Sequence, residues 1–481
     1  MALLLACMAA ERNVTMEQRD LVIIGGGPAG YVAAIRASQL GGKVTLIERD
    51  ALGGVCLNRG CMPTRALVRG VEFLNLPAKA KDYGVDLGVT EVNFSKMVAR
   101  KDTIVRRVVG GVELLMRENG IEVLRGKGEL LSPSEVEVQL EDGTNRQIAA
   151  LRIIIATGSS SQRPSIPGEQ EIITTDQALE LKEIPRSMLI VGGGAIGFAF
   201  ATIFSKLGTS VIVIEGSAQI LPGVDREIVA LLERELKKEK IRLHTEAYIR
   251  SIGGGEGDER NIVLSIKGEE ATLTAQYVLA AEERGANVDG LGLDRVEVNL
   301  SEGAIAVNRR MQTSVPGIFA AGDVTGEPML AHIAFAGGKV AAENAMGKGS
   351  EIDYTAVPRC INTTPEIASV GLTEDEALAQ GYQIRIGRFP FAANGLATIL
   401  GERAGTIKLI TEAKYGQILG VHIIGPHAID LIPEAALAMK LDATPQEISS
   451  TIHAHPTLSE ALMEAALDVT GDTLHFLSPN R

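Results

Sequence analysis

Two stretches of this chain share one spacing of glycines, and that repeat restricts the fold more than any other feature. Gly25, Gly27 and Gly30 follow the apolar run 21–24, and Gly192, Gly194 and Gly197 follow the apolar run 188–191, 192 − 25 = 167 residues later. In each copy a helical run comes next, reaching Leu40 and Leu207, and then a second apolar run that ends in an acid. The acids are Glu48 and Glu215, at 48 − 25 = 23 and 215 − 192 = 23 residues from the first glycine. The first glycine permits a tight turn, the second lets the backbone approach a pyrophosphate, and the third lets helix and strand pack closely. The helix N-terminus offers N–H donors to phosphate, and the acid is placed to accept from a ribose hydroxyl. The repeat implies two dinucleotides, or one dinucleotide and one relic. An acid at Glu215 favours an unphosphorylated ribose, so NAD rather than NADP.

Between the first unit and the rest lies the stretch 52–67, reading LGGVCLNRGCMPTRAL. Cys56 and Cys61 are separated by four residues, and the only other cysteines are Cys7 and Cys360. A zinc site needs a second ligand pair at suitable spacing, and none exists. Four cysteines in 481 residues do not make a disulfide framework, which belongs to small secreted domains. Two readings stay open on the residues alone: a redox pair that opens and closes in turnover, or two inert buried thiols.

The length fits three or four domains, and 45% hydrophobic with 22% charged residues marks a globular chain. A net charge of −13 argues against nucleic acid and anionic membranes as partners and favours small-molecule ligands. No apolar run is long enough to span a bilayer, so a cytoplasmic protein is expected. The first ten residues, MALLLACMAA, are apolar but lack a basic start; they are read as a frayed extension or a mis-called start, with Met16 as the alternative beginning.

Further along, 94–118 reads as helix, 121–150 as short β segments, and 152–155 as a strand ending in Ala156-Thr157-Gly158-Ser159. The run 314–323 ends in Asp323 at a turn, where a capping role is the default. From Tyr354 the pattern changes to β segments near 367–372, 405–410 and 420–424, with helical runs at 431–439 and 458–467: a separate α+β domain. It carries His453-Ala-His455-Pro456-Thr457-Leu458-Ser459-Glu460, two of only seven histidines. Thr457 and Glu460 have the spacing of a capping box. The competing reading makes Glu460 the carboxylate that orients His455 as a general base.

Taken together these residues resemble the flavin-dependent pyridine nucleotide–disulfide oxidoreductases, over nearly all of the chain from about Asp20. The stretches that carry the likeness are VIIGGGPAGYVAAIRA, GGVCLNRGCMP, ATGS, IFAAGDV, PEIASVGLTE, GVHIIGPHA and TIHAHPTLSEAL. The resemblance implies two Rossmann-like domains for FAD and NAD and an α+β dimerisation domain. The implied divisions are 1–15 as extension, 16–158 and 286–353 for FAD, 159–285 for NAD, and 354–481 for dimerisation. It places FAD on Gly25, Gly27, Gly30 and Glu48, with Arg65, Thr157, Gly158 and Asp323, and NAD on Gly192, Gly194, Gly197 and Glu215. It makes Cys56 the thiol that exchanges with substrate and Cys61 the thiol next to the flavin. His455 and Glu460 then come from the partner in a homodimer. The implied activity is oxidation of protein-bound dihydrolipoamide with NAD+ as acceptor, with a lipoyl-bearing protein as partner and no metal. Relatives that use NADP are disfavoured by Glu215. Those with a C-terminal cysteine pair are disfavoured, since none stands near 478–481.

Three positions depart from the family pattern. Arg65 replaces a lysine and Ala199 a glutamate that pair beside the flavin in the family, and Glu283 replaces a glycine near the cofactors. The expectation is an unpaired cation at Arg65 and weakened use of NAD. The alternative function is a relay flavoprotein for an unusual lipoyl carrier or other disulfide substrate.

Overall fold

A computed structural model describes residues 17–88, 91–282, 284–326 and 328–477. The expectations for Cys7, Met16 and Glu283 concern residues outside these. The chain forms two compact units, one built from residues 17–61, 105–160 and 285–352 and the other from 62–104, 161–284 and 353–477.

In the first unit, strand Glu17–Ile24 lies between Val44–Glu48 and Asn145–Ile155, parallel to both, with Leu21 opposite Val44 and Ile24 opposite Ile155. Residues 21–24 are fully apolar and buried, the pattern of a strand covered on both faces. Strands Glu122–Ser132 and Glu135–Leu140 form a meander that returns to Asn145–Ile155, and Ile318–Ala320 adds parallel to its far end. The core comes from these strands, with Val22, Ile24, Leu130, Ile153 and Ile318 all buried. Helix Pro28–Gln39 buries Ala29, Ala33 and Ala37. A Cβ at Gly338 of helix Ala331–Ala345 would stand 2.2 Å from the Ala29 carbonyl oxygen, so only glycine permits that helix–helix approach. The parallel strands end together at Ile24, Glu48, Ile155 and Ala320, the carboxyl edge where α/β sheets bind ligands.

The second unit contains a parallel five-stranded sheet. Its order is Arg242–Thr245, Ser210–Glu215, Ser187–Val191, Tyr277–Ala280, Ile172–Thr174. A three-stranded antiparallel sheet, 247–275, covers one side of it with Ile249, Ile262 and Leu264. Helix Ala195–Lys206 packs a row of phenylalanines, Phe198, Phe200 and Phe204, on the other. A second, antiparallel five-stranded sheet runs from Arg359–Ile361 through Glu366–Gly371, Ile418–Gly425 and Thr406–Glu412 to Ile384–Pro390. Its three central strands match the β segments read from the sequence; its two edge strands were not read. Arg359, Arg385, Arg388 and Pro390 break the apolar alternation there, as charges and proline do on sheet edges. Helices Ala428–Lys440 and Glu460–Asp468 cover this sheet through Ile432, Ala435, Leu462 and Ala465.

Among the described residues no helix is long and apolar enough to cross a membrane, and no cluster of His, Cys, Asp or Glu is placed to hold a metal ion.

Candidate active site

The two glycine turns are built alike. Gly25 and Gly192 have φ of +106° and +110°, and a Cβ on either would strike backbone atoms within 3 Å, of Ala156 and Ala281 respectively. At Gly30 and Gly197 a Cβ would lie 1.8 and 1.9 Å from the carbonyl oxygen of the first glycine. These positions need glycine for the chain's own packing. The middle glycines differ: only the Gly54 Cα at 3.8 Å comes near a Cβ at Gly27, and nothing lies within 4 Å of one at Gly194. Among the described residues a Cβ there meets at most that one atom and enters the space in front of helices Pro28–Gln39 and Ala195–Lys206, where a phosphate can be held. Both turns thus fit a dinucleotide pyrophosphate.

Each terminal acid braces its own turn. Glu48 Oε2 accepts from the Gly26 N–H at 2.6 Å and Oε1 from the Asp50 N–H at 2.7 Å. Glu215 does the same with Gly193 at 2.9 Å and Ser217 at 2.8 Å. A carboxylate has about four acceptor sites, so a ribose hydroxyl can still be received. Burial pushes the Glu48 carboxyl up from its ordinary value, against the Gly26 N–H and the charges of Arg49 and Arg125. A pocket opens beside Glu48, bounded also by Gly25, Arg49, Lys127, Thr157 and Asn287. Arg49 and Lys127 were not singled out from the sequence. Lys127 sits in a strand among alternating residues, and only the fold turns it toward this pocket.

The Ala156–Ser159 and Ile318–Asp323 segments meet here. The Thr157 hydroxyl donates to the Asn287 carbonyl at 2.7 Å, and the Asn287 amide donates back to the Thr157 carbonyl at 3.0 Å. Gly158 has φ +70°, and its carbonyl accepts from the Asn287 N–H. The Ser159 hydroxyl donates to Asp323 Oδ2 at 2.6 Å. Asp323 opens the turn 323–325.

The cysteine stretch folds directly over the first turn. Gly53 (φ +88°) caps and Gly54 (φ +55°) opens the short helix Gly54–Asn58 that carries Cys56. The Asn58 amide ties it down by donating to the Leu52 and Gly54 carbonyls. Cys61 is the first residue of the next helix, Cys61–Glu72, the position where N–H groups and helix dipole favour a thiolate. Both cysteines are thiols; Cys56 is partly buried and Cys61 exposed. The hydrogen bond to Cys61 pushes the Cys56 thiol well above its usual value, with burial and the charges of Cys61 and Asp323 adding to it. Burial, and then charge at Cys56, push the phenol of Tyr31 up as well.

In the second unit, His455 Nδ1 lies 2.9 Å from Glu460 Oε1, and the His455 ring is 78% exposed. The other Glu460 oxygen accepts from the Thr457 N–H at 2.8 Å. The capping box is only half formed: the Thr457 hydroxyl turns to the Ala454 carbonyl, and helix Glu460–Asp468 has Ser459 at its N-cap with no side-chain cap. One carboxylate thus serves both readings offered by the sequence. Burial pushes Glu460 up, but the Thr457 N–H and His455 outweigh it and hold the carboxyl below its ordinary range. Two residues earlier, His453 Nε2 meets Glu434 at 2.9 Å and Nδ1 the Thr451 carbonyl at 2.8 Å, fixing the start of the same loop.

The expectation of an unpaired cation at Arg65 is overturned. Arg65 Nη2 donates to Glu366 Oε1 at 2.5 Å and Nη1 to Asn362 Oδ1 at 2.7 Å. Ala199 does remove a carboxylate from helix Ala195–Lys206, and is buried there between Phe198 and Phe200. The strand Glu366–Gly371 supplies another.

The sequence model of the pyridine nucleotide-disulphide oxidoreductases matches residues 19–338, and that of their dimerisation domain residues 357–466. A dihydrolipoyl dehydrogenase of Bacillus subtilis is 42% identical over 471 residues, covering 95% of this chain and 99% of that protein. One from Thermus scotoductus is 41% identical, covering 96% and 100%. Leghemoglobin reductase of Vigna unguiculata is 39% identical, covering 94% and 87%. Among solved structures, the Cu(II) complex of the HOCl-induced flavoprotein disulfide reductase RclA from Escherichia coli superposes with a TM-score of 0.84 at 26% identity, over 94% of this chain and 99% of that one. FAD and NAD are the cofactors of this family, and both glycine turns fit them. Two braced dinucleotide turns, a cysteine pair over the first and a C-terminal dimerisation domain are explained together: the chain belongs to the pyridine nucleotide-disulphide oxidoreductase family.

Proposed function

We propose that this chain is a dihydrolipoyl dehydrogenase, oxidising protein-bound dihydrolipoamide to lipoamide with NAD+ as acceptor. The observation that carries the reading is the hydrogen-bonded pair Cys56–Cys61, on a segment that lies against the first glycine turn. Residues 16–158 and 286–353 hold FAD on Gly25, Gly27, Gly30, Glu48, Thr157, Gly158 and Asp323. Residues 159–285 hold NAD on Gly192, Gly194, Gly197 and Glu215, and 354–481 join two copies.

The substrate dithiol gives up two electrons and two protons. One thiolate attacks Cys56 of the Cys56–Cys61 disulfide, forming a mixed disulfide and releasing Cys61 as thiolate at its helix N-terminus. The second substrate sulfur then closes lipoamide and releases Cys56. The attacking species is a thiolate, so a base must take the protons near neutral pH. His455 Nε2 of the second copy takes the proton of the attacking thiol and, once it has passed that proton to solvent, the proton of the second thiol, while Glu460 holds Nδ1–H and so fixes the ring and its tautomer. When bound, FAD passes the two electrons on to NAD+ as hydride.

General-base catalysis is worth roughly 100- to 10,000-fold. His455→Ala is expected to lose that much in the dihydrolipoamide half-reaction while flavin reduction by NADH persists. Cys56→Ser is expected to abolish the dihydrolipoamide half-reaction. Mixed dimers of inactive Cys56→Ser and inactive His455→Ala chains should recover partial activity. Wild-type lipoamide turnover in Cys56→Ser, or no recovery in verified mixed dimers, refutes the corresponding part.

A further inference from the structure

Arg65 stands four residues after Cys61 in one continuous helix, Cys61–Glu72. Residues at i and i+4 share a helix face, about 5–6 Å apart at Cβ, and long helical side chains lean back toward the N-terminus. The arginine charge is therefore carried on the Cys61 side of the helix. Two groups far away in sequence hold it. Glu366 is 16% exposed and fixed: it begins the strand Glu366–Gly371, and its Oε2 accepts from the Ile429 N–H in the first turn of helix Ala428–Lys440 at 3.3 Å. Asn362 contributes a neutral oxygen to the same guanidinium. Glu366 also reaches the partly buried Cys360, whose thiol is pushed up to about 11 by burial first and by this carboxylate second. Its negative charge is thus felt at a neighbouring sulfur.

We infer that Glu366 is the counter-ion that sets how much of the Arg65 charge is felt at Cys61, so that this pair, through the redox helix, sets the balance between the disulfide and dithiol forms of Cys56–Cys61. The inference rests on the proposed redox role of those cysteines. A cation beside a cysteine favours its thiolate and so the reduced couple. Arg65 supplies that cation and Glu366 offsets it. Arg65 and Glu366 act as positioning and field-setting residues; neither exchanges electrons.

The sign of the response separates this role from a merely structural one. Glu366→Gln keeps the shape and an oxygen for Arg65 but removes the negative charge, and should shift the couple toward dithiol. Arg65→Gln removes the cation and should shift it toward disulfide. Asn362→Asp adds a carboxylate to the same guanidinium and should move it in the Arg65→Gln direction, which keeps the test open if Glu366→Gln does not fold. Arg65→Lys keeps the charge and should restore most of the wild-type balance. If the trio were only a strut, loosening it from either side would move the couple the same way.

The flavin-loaded proteins are equilibrated in glutathione buffers of graded ratio at one pH. Their Cys56 and Cys61 thiols are then trapped by alkylation and counted by mass. We expect opposite shifts of threefold or more in the exchange constant, where tenfold corresponds to about 30 mV. Shifts of one sign for Glu366→Gln and Arg65→Gln, or none in either, overturn the inference while leaving the redox pair intact. Failure of wild-type Cys56 and Cys61 to close at any ratio overturns the redox pair itself.

Discussion

The two glycine units share a frame down to single hydrogen bonds and part company one residue later. In both, the carbonyl of the glycine after the first receives an N–H from the loop beyond the acid: Gly53 donates to Gly26 and Leu221 to Gly193, each at 2.8 Å. Both donors have positive φ, +88° and +49°. After Gly53 the chain offers another glycine, Gly54, whose Cβ would stand 2.7 Å from the Gly27 Cα. With no side chain on either, the segment bearing Cys56 lies backbone to backbone on the first turn. In the second unit the donor itself carries bulk: Leu221 is 2% exposed and packs with Ile220 and Val224 into the core, and Pro222 follows it. One frame therefore carries the cysteine segment and the other a hydrophobic anchor. The difference is set by whether the latch is a glycine followed by another glycine or a bulky leucine.

The largest test of this contrast compares valine at two glycines. Gly54→Val should force the cysteine segment off the first turn and yield protein without flavin. Gly194→Val adds a Cβ with no described atom within 4 Å, so it should fold and keep its flavin yet lose at least about tenfold in NADH affinity, its side chain standing where the phosphates approach. Flavin absorbance and NADH titration read the two outcomes. Full flavin in Gly54→Val, or wild-type NADH affinity in Gly194→Val, breaks the comparison.

A smaller effect sharpens it on the second side, where Asp225 caps helix Arg226–Lys238 and has no counterpart in the first unit. Asp225, Glu227 and Glu374 surround Lys408, which is 1% exposed, at 2.8, 3.3 and 2.7 Å. Lys408→Met leaves these carboxylates without their cation and should cost about 3–5 kcal/mol, the range for breaking a buried pair from one side. Denaturant unfolding measures it; a loss below 1 kcal/mol is the contrary result.

The smallest effect belongs to the first unit. Burial pushes the Glu122 carboxyl up, but bonds from Arg19, Thr45 and Arg146 outweigh it and bring it down to about 2. A carboxyl held below its unfolded value stabilises above that value, and the contribution disappears as pH falls through the folded one. Glu122 thus supports the fold above about pH 4.5 and progressively less toward pH 2. Its side chain is 32% exposed, so solvent screening keeps the contribution to about 1 kcal/mol. Glu122→Gln should flatten the acid limb of stability in that window; an unchanged limb refutes the assignment.

The sequence alone determined the features that depend on local backbone geometry. Positive φ at Gly25 and Gly192, and close approach at Gly30 and Gly197, exclude every other residue, so these requirements appear as residue types at fixed spacing. The same holds for the buried strands at 21–24 and 188–191, whose burial on both faces demands unbroken apolar runs. The edge strands of the C-terminal sheet lacked that demand and escaped notice. The pairing at Arg65 was misread for a different reason: its partner lies 301 residues away, and a long-range charge pair needs no periodicity or spacing. Glu460 shows the same limit within six residues. The spacing to Thr457 announced a cap, but which donors reach the carboxylate was decided only when the loop from His453 was pinned by Glu434 and Thr451, leaving His455 to take one oxygen and the Thr457 N–H the other. Backbone constraints leave their mark in the sequence; the choice among competing polar partners is made by tertiary packing, because it depends on which groups are brought within about 3 Å of one another.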